Sequence, residues 1–407
     1  MPARAAAPLD LAAVELVLRP FERALTLPGD AYASEDVFAW EVENFFEGAW
    51  MCIGREQDLQ VGHRGDQVAV QVGSQSFVLV RADDGVLHAY HNICRHRGHE
   101  LLAIGEHRNQ RGIRCPYHAW VYGLTGECRA APRFDVESFD KGAFPLVEAR
   151  VEEWHGWLFL NATGDAGSFE EHLGNLDTAV ADHAPASLRL GARHEYELQA
   201  NWKIVVENYL ECYHCSQIHP ALCKVTPPDS DITYGERSEG MWIGGPMVLR
   251  DHAQTMSLTG ESLGVTIPGL PDDKRRTVGY AAVFPNLLIS PHPDYVMTHR
   301  LVPLATGRTW VECAWYFPAE AFEEPGFTPA YAAEFWDITN AEDWLACESV
   351  QRNVGSPGYR PGPFSYWEVD VFRAQAMVAR GYLEGRLAPP AHELISGPGR
   401  LGEEDPR

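Results

Sequence analysis

Two short motifs constrain this chain of 407 residues more than any other feature. They are Cys94-Arg95-His96 and, after an 18-residue gap, Cys115-Pro116-Tyr117-His118. Each pairs one thiol with one imidazole. Two loops of that kind can deliver both thiolates to one iron and both imidazoles to a second. That is the ligand set of a [2Fe–2S] cluster with His₂ replacing Cys₂ on one metal. Structural zinc is the rival, because Cys₂His₂ also suits a tetrahedral zinc site. Zinc fingers, however, group like with like, Cys-x₂-Cys before His-x₃-His. The mixed pairs favour the cluster.

The flanking sequence places both motifs on loops of a small β-domain. Runs 76–81 and 86–90 are apolar and β-prone, and Ala82-Asp83-Asp84-Gly85 joins them. Asp-Gly between such runs is a hairpin signal. The second motif follows Gly112-Ile113-Arg114 and precedes the β-prone run 119–122, which stops at Gly123.

A stand-alone cluster protein needs only about a hundred residues; this chain is long enough for two or three domains and a second sizeable core. A net charge of −24 speaks against nucleic acid and against an anionic membrane surface. No run of 18 apolar residues exists, so no membrane span is expected. The first ten residues lack a continuous apolar core, which disfavours a secretory signal. Nine scattered cysteines do not form a disulfide scaffold, and a reducing cytoplasm is the expected location.

A second constellation lies at 201–220, Asn-Trp-Lys-Ile-Val-Val-Glu-Asn-Tyr-Leu-Glu-Cys-Tyr-His-Cys-Ser-Gln-Ile-His-Pro. Trp202, Val205, Val206, Tyr209 and Leu210 recur at helical spacing, which predicts one helix with a buried face. Glu211 and His214 would then share a face. His219 would point about 140° away on an ideal helix. Pro220 pushes the preceding residue out of the α region, so the helix should distort there and let His219 turn back. Two His delivered in this way suit a 2-His-1-carboxylate iron site, although two His five apart in a buried helix are more often hydrogen-bonded core residues than ligands. Cys212-x-x-Cys215 admits a redox or zinc reading. We take both as small buried hydrophobes, with Cys52, Cys128, Cys223, Cys313 and Cys347.

The cluster motif followed by Glu-x-x-His-x₄-His resembles the large (alpha) subunit of Rieske non-haem iron oxygenases, the ring-hydroxylating oxygenase family. The resemblance runs from about Phe21 to about Gly381, with Asn201-Trp202-Lys203 and Cys115-Pro116-Tyr117-His118-Ala119-Trp120 fitting closely. Respiratory Rieske proteins join the ligand loops through an additional cysteine pair. Here Ile93 and Arg95 flank Cys94 and Pro116 follows Cys115, so an oxygenase-type or ferredoxin-type cluster is implied.

The resemblance implies an α+β fold: a Rieske β-domain at 48–162 and a catalytic domain at 163–407 with an antiparallel sheet and flanking helices, residues 1–47 packing on the latter. It implies a Rieske cluster on Cys94, His96, Cys115 and His118, and a mononuclear non-haem Fe(II) on His214, His219 and Asp343. Glu342 and Asp337 stay open as alternatives to Asp343. Glu211 would bridge the two metal centres across a head-to-tail homotrimer, and Asn208 is grouped with it as a catalytic candidate. Glu at 211, where many members carry Asp, is a hint towards quaternary ammonium substrates. Tyr209, Tyr213, Trp242, Trp310 and Trp315 are candidates for an aromatic cage.

The implied activity is that of a mono- or dioxygenase, hydroxylating, dihydroxylating or demethylating a small aromatic compound or quaternary amine with O₂. Electrons would come from an NAD(P)H-dependent reductase, directly or through a ferredoxin, since the chain shows no dinucleotide fingerprint. The alternative is an iron–sulfur electron-transfer or ligand-sensing protein without oxygenase chemistry.

Periodicity adds detail. Runs 280–284, 287–290, 295–298 and 309–316 read as strands, and 330–354 and 369–383 as helices. Segment 222–274, rich in Gly, Pro and Asp, is expected to be a long mobile region near the site. The ends 1–18 and 390–407 are expected to be poorly ordered.

Overall fold

The structure is a computed structural model of the chain, described here for residues 5–134, 137–230 and 238–395. It divides into two compact units, one formed by residues 42–169 and the other by 1–41 with 170–407.

The smaller unit is built on a seven-stranded sheet. In spatial order the strands are Met51–Arg55, Trp157–Asn161, Glu148–Trp154, Leu87–His91, Gln75–Arg81, Asp66–Val72 and His107–Asn109. Neighbours are antiparallel throughout. The expected hairpin is present: Gln75–Arg81 pairs with Leu87–His91, and Gly85 turns the chain at φ +83°. A separate three-stranded ribbon, Ile113–Arg114, Val121–Tyr122 and Cys128–Ala130, carries the second cluster motif. Val78, Val80, Tyr90, Leu101, Leu102, Trp120 and Tyr122 form the core beneath both motifs, and Cys94 and Cys115 belong to it.

The larger unit contains a six-stranded antiparallel sheet in the order Arg189–Leu198, Arg308–Phe317, Val296–Ala305, Leu287–Pro291, Thr277–Val283, Trp242–Val248. The four strands read from periodicity are its centre. The edge strand Trp242–Val248 was not expected, because Gly244, Gly245 and Pro246 erase the β signal; proline is tolerated at an edge, where a missing N–H breaks no inner ladder. Segment 222–274 is thus less irregular than its composition suggests, holding that strand and the short helix Leu222–Val225; residues 231–237 lie outside the described residues.

Two long helices flank the sheet, Ala330–Val354 and Val369–Glu384. The second ends at Gly385 in the left-handed conformation (φ +82°) that glycine adopts without penalty. In the first, Ala332, Trp336, Thr339 and Cys347 are buried at three- and four-residue spacing. Asp343 falls on that stripe, so its carboxylate points inward.

The expected disorder of 1–18 does not hold for 5–18. Asp10 accepts a hydrogen bond from the Ala12 N–H (3.0 Å) and caps the helix Leu11–Glu15, while Ala7, Val14 and Val17 are buried. Nor does it hold for 390–395, where His392–Leu394 forms a 3₁₀ turn; residues 1–4 and 396–407 lie outside the described residues. Among the described residues no helix is long and apolar enough to cross a membrane.

Candidate metal centres

The two cluster motifs fold into loops of the same design. The Cys94 N–H donates to the His99 carbonyl (2.8 Å) and its carbonyl accepts from the Gly98 N–H (3.0 Å). The Cys115 N–H donates to the Trp120 carbonyl (2.8 Å) and its carbonyl accepts from the Ala119 N–H (3.1 Å). Gly98 and Ala119, each four residues after its cysteine, both sit at positive φ (72° and 57°). Each loop therefore curls around its cysteine in a nest of backbone turns. Asn92 braces the first, accepting from the Leu101 and Leu102 N–H groups and donating to the Leu102 carbonyl (2.7 Å).

Burial sorts the four candidate ligands by chemistry. Cys94 and Cys115 are single thiols, 2% exposed, whereas His118 is exposed and His96 half-buried. The two imidazoles meet edge to face at 4.7 Å between ring centroids, with His96 stacked on Trp120. Two sulfurs inside and two imidazoles at the surface fit a [2Fe–2S] cluster with an inner and an outer iron. The Tyr122 hydroxyl lies 3.3 Å from Cys94 Sγ and accepts from the Arg95 N–H (2.9 Å). A hydrogen bond to a cluster sulfur stabilises the reduced state.

The second centre departs locally from the expected helix. Asn201 caps the helix Trp202–Tyr209, its side chain accepting from the Lys203 N–H (3.0 Å). Lys203 and Trp202 both donate to the buried Glu41 carboxylate (2.6 and 2.9 Å), which anchors the start of the helix. The helix then stops after Tyr209 rather than running to His219. Glu211 is the reason: its carboxylate accepts from the Tyr213 and His214 N–H groups, displacing the carbonyls a continuing helix would use. A single turn, Cys215–Ile218, leads to His219, whose non-helical φ −115°, ψ 68° suits a residue before proline.

This break brings the three expected residues together. His214 Nε2 lies 3.1 Å from His219 Nε2 and 3.3 Å from Asp343 Oδ1, and His219 Nε2 lies 2.9 Å from the same oxygen. On the far edge of each ring stands a carboxylate, Glu211 at His214 Nδ1 and Glu342 at His219 Nδ1 (2.8 Å). A carboxylate only accepts, so each Nδ1 carries hydrogen and a neutral ring turns its Nε2 lone pair inward. Two lone pairs and an anionic oxygen then converge, an arrangement that repels itself unless a cation, whether a proton or a metal ion, lies between. Mutually cis ligands about 2.1 Å from an octahedral metal stand about 3.0 Å apart, against about 3.4 Å in a tetrahedron. Two of the three edges, 2.9 and 3.1 Å, and their mean with the third lie nearer the octahedral value, as for a facial triad with its opposite face open. The residues present fit a mononuclear iron.

Electrostatics carry the same message. Burial pulls the His214 imidazole down, but Asp343 and Glu211 outweigh it and carry the ring up to about 9. His219 is raised against burial by Asp343 and Glu342. Asp343, which burial would raise, is held low by the two imidazoles. The site demands positive charge. Asn208 Nδ2 donates to Asp343 Oδ1 (3.1 Å), fixing the carboxylate's aim.

Glu342 and Asp337, the open alternatives, are placed elsewhere. Glu342 braces the back of His219, and Asp337 bonds His194 (2.7 Å) and Tyr196. No sequence signal foretold the bracing, because two adjacent acids reach opposite edges of one ring only in three dimensions. The cysteines were misjudged too: Cys212 and Cys215 form a disulfide.

A cleft of about 600 Å³, part of it open to solvent, includes the triad and is walled by Asn208, Tyr209, Tyr280, Met247, Trp336 and Asp370, among others. Of the five aromatic candidates only Tyr209 lines it. Tyr213 is exposed, and Trp242 is tied to Asn175 and the Glu239 carbonyl. Trp310 carries Arg300 over its face, and Trp315 is buried against His194. Tyr280 and Trp336 take their place.

The chain matches the family model of the ring hydroxylating alpha subunit (catalytic domain) over residues 185–384 and that of the Rieske [2Fe-2S] domain over 49–140. It is 29% identical to the glycine betaine monooxygenase oxygenase subunit of Chromohalobacter salexigens, across 86% of this chain and 84% of that one. It is 38% identical to the carnitine monooxygenase oxygenase subunit of Escherichia coli over a shorter stretch, 54% of this chain and 58% of the relative. The solved structure of a quaternary ammonium Rieske monooxygenase, described for carnitine oxidation by gut microbiota and inter-subunit electron transfer, superposes with a TM-score of 0.74 at 27% identity, covering 93% of this chain and all of that one. A cluster protein without oxygenase chemistry does not fit these matches, since they include the catalytic domain. The chain belongs to the Rieske non-haem iron oxygenases, as an alpha-type oxygenase component that holds a [2Fe–2S] cluster and a mononuclear iron, draws electrons from a reductase and acts with O₂ on a small molecule.

Proposed function

We propose that this oxygenase component oxidises a small quaternary ammonium compound at a mononuclear iron held by His214, His219 and Asp343. The carrying observation is the triangle of ligand atoms with edges of 2.9, 3.1 and 3.3 Å beside a cleft walled by aromatic rings. When bound, the cluster supplies single electrons and the mononuclear iron activates O₂ for insertion. Cys94, His96, Cys115 and His118 hold the cluster.

The chain's own residues prepare the rest. Glu211 keeps hydrogen on His214 Nδ1 and so keeps Nε2 free for the metal; Glu342 does the same for His219. Asn208 holds the Asp343 carboxylate in line. Tyr209 is fixed by its hydroxyl on the Ile289 carbonyl (3.0 Å) and Ser290 (2.8 Å), and the Trp336 indole N–H by the Tyr295 hydroxyl (2.9 Å). With their polar atoms so engaged, Tyr209 and Trp336 offer the cleft ring surface. Aromatic faces beside the Glu211, Asp343 and Asp370 carboxylates that line the cleft suit an ammonium group, in keeping with the substrates for which the two relatives are named.

Glu211 also fits the role of the acid that links this centre to the cluster of a neighbouring subunit in a head-to-tail homotrimer. The donor is then an NAD(P)H-dependent reductase, directly or through a ferredoxin, in the cytoplasm. Reductase-coupled turnover of a panel containing carnitine, glycine betaine, choline and aromatic acids, read by product mass spectrometry, tests the substrate class. Conversion of a quaternary amine is expected; conversion of the aromatic acids alone would overturn it.

A further inference from the structure

Cys212 and Cys215 bracket Tyr213 and His214 and are joined by a disulfide, with Cα atoms 4.9 Å apart. Both are shielded from bulk solvent, at 5% and 3% exposure, yet both line the cleft that includes the triad. Cys215 Sγ lies 3.9 Å from His214 Nε2, the nitrogen that faces the triad centre. The other seven cysteines are single thiols, two of them the cluster candidates. The cross-linked pair is therefore the sulfur pair set beside the oxygen-handling centre, reached through a cleft that admits small molecules.

We propose that Cys212 and Cys215 are a reversible redox site in the cleft wall: as a dithiol the pair reduces hydrogen peroxide, and it closes to the disulfide without giving up the iron-ligand geometry. One sulfur attacks a peroxide oxygen; the O–O bond breaks, leaving a sulfenic acid and one water. The second sulfur attacks the first; the S–O bond breaks and a second water departs. Two thiols supply two electrons, and one peroxide becomes two waters. A small dithiol reopens the bond by exchange. The triad triangle described above exists with the disulfide closed, so closing the disulfide leaves the three side chains in their convergent arrangement. The proposal rests on the reading of this cleft as the oxygenase site only for the local origin of peroxide; the sulfur chemistry does not depend on it.

The test uses the holoenzyme, reduced with a phosphine, desalted anaerobically and titrated with hydrogen peroxide. Differential alkylation with peptide mass spectrometry follows each cysteine, while metal analysis follows iron. The Cys212–Cys215 pair should oxidise near one equivalent of peroxide per chain, at a dose at least tenfold below that for the half-buried Cys223, with iron retained. A doubly substituted Cys212→Ser/Cys215→Ser protein should lose mononuclear iron at peroxide doses the parent withstands. Oxidation of Cys223 before the pair, iron loss in step with disulfide closure, or equal iron loss in parent and variant would overturn the proposal. Failure of the oxygenase reading would show separately, as absent turnover with the alkylation pattern unchanged.

Discussion

Asp343 meets both imidazoles through one oxygen, so its removal should empty the mononuclear site while sparing the cluster. In Asp343→Ala we expect iron to fall from three to two per chain, with the cluster's visible spectrum intact and turnover lost by more than about a thousandfold. Metal analysis beside absorption checks this; three irons retained would refute the ligand assignment. Glu342→Gln tests the bracing role. The amide still reaches His219 Nδ1 but no longer adds charge, and such outer-shell changes cost about 10–100-fold in metal affinity. Competition with a chelator should show that weakening, and Glu342→Ala should show more of it. The four cluster candidates could be proposed from sequence because Cys and His are scarce and their spacing suits two tight loops. Glu342 was not, because its function depends on which edge of His219 it faces.

At the scale of elements, the ligand segment depends on how its helix begins and ends. Its start is pinned by the buried pair of Lys203 and Glu41, both about 1% exposed or less. Removing one partner strands the other, so Glu41→Ala should cost about 3–5 kcal/mol of stability by denaturant unfolding. A loss below about 1 kcal/mol would mean that water satisfies Lys203 instead. Its end illustrates why sequence periodicity overran the structure. The apolar spacing from Trp202 to Leu210 is helical, and nothing in it announces that Glu211 will take the next two N–H groups. The helix expected to carry His214 is replaced by a carboxylate-capped turn, and only that turn lets His214 and His219 meet. The sheet shows the same limit: its inner strands read as apolar, β-prone runs between turn residues, whereas Trp242–Val248 is stabilised at the edge by pairing with Thr277–Val283 despite Gly244, Gly245 and Pro246.

At the scale of the whole molecule, buried imidazoles set the acid limit. Burial pushes His172 down to about 3 and His183 and His299 to about 4. Each value lies below that of the unfolded chain, about 6.5, so the stability these rings contribute is complete above about pH 6.5 and is lost as pH falls towards 4. The sum is on the order of several kcal/mol. Glu207, pushed up to about 7 by burial, acts in the opposite sense between about pH 4.5 and 7 and offsets part of it. Melting temperature should therefore drop steeply from pH 6.5 to 4, and a flat profile over that window would show these rings to be solvated. Length and the order of the motifs point to a cluster-bearing and an iron-bearing part, and the chain divides into two compact units.

Single turnover tests the central claim most directly, that electrons held at Cys94, His96, Cys115 and His118 serve oxygen chemistry at His214, His219 and Asp343. Protein reduced with dithionite and desalted is mixed with O₂ and a quaternary amine, with cluster absorption and product followed together. The expected result is cluster re-oxidation matched by oxidised amine in stoichiometric yield, with no product from Asp343→Ala. Cluster re-oxidation at full rate in that variant, or a parent protein that re-oxidises and forms no product from any amine or aromatic acid, would contradict it.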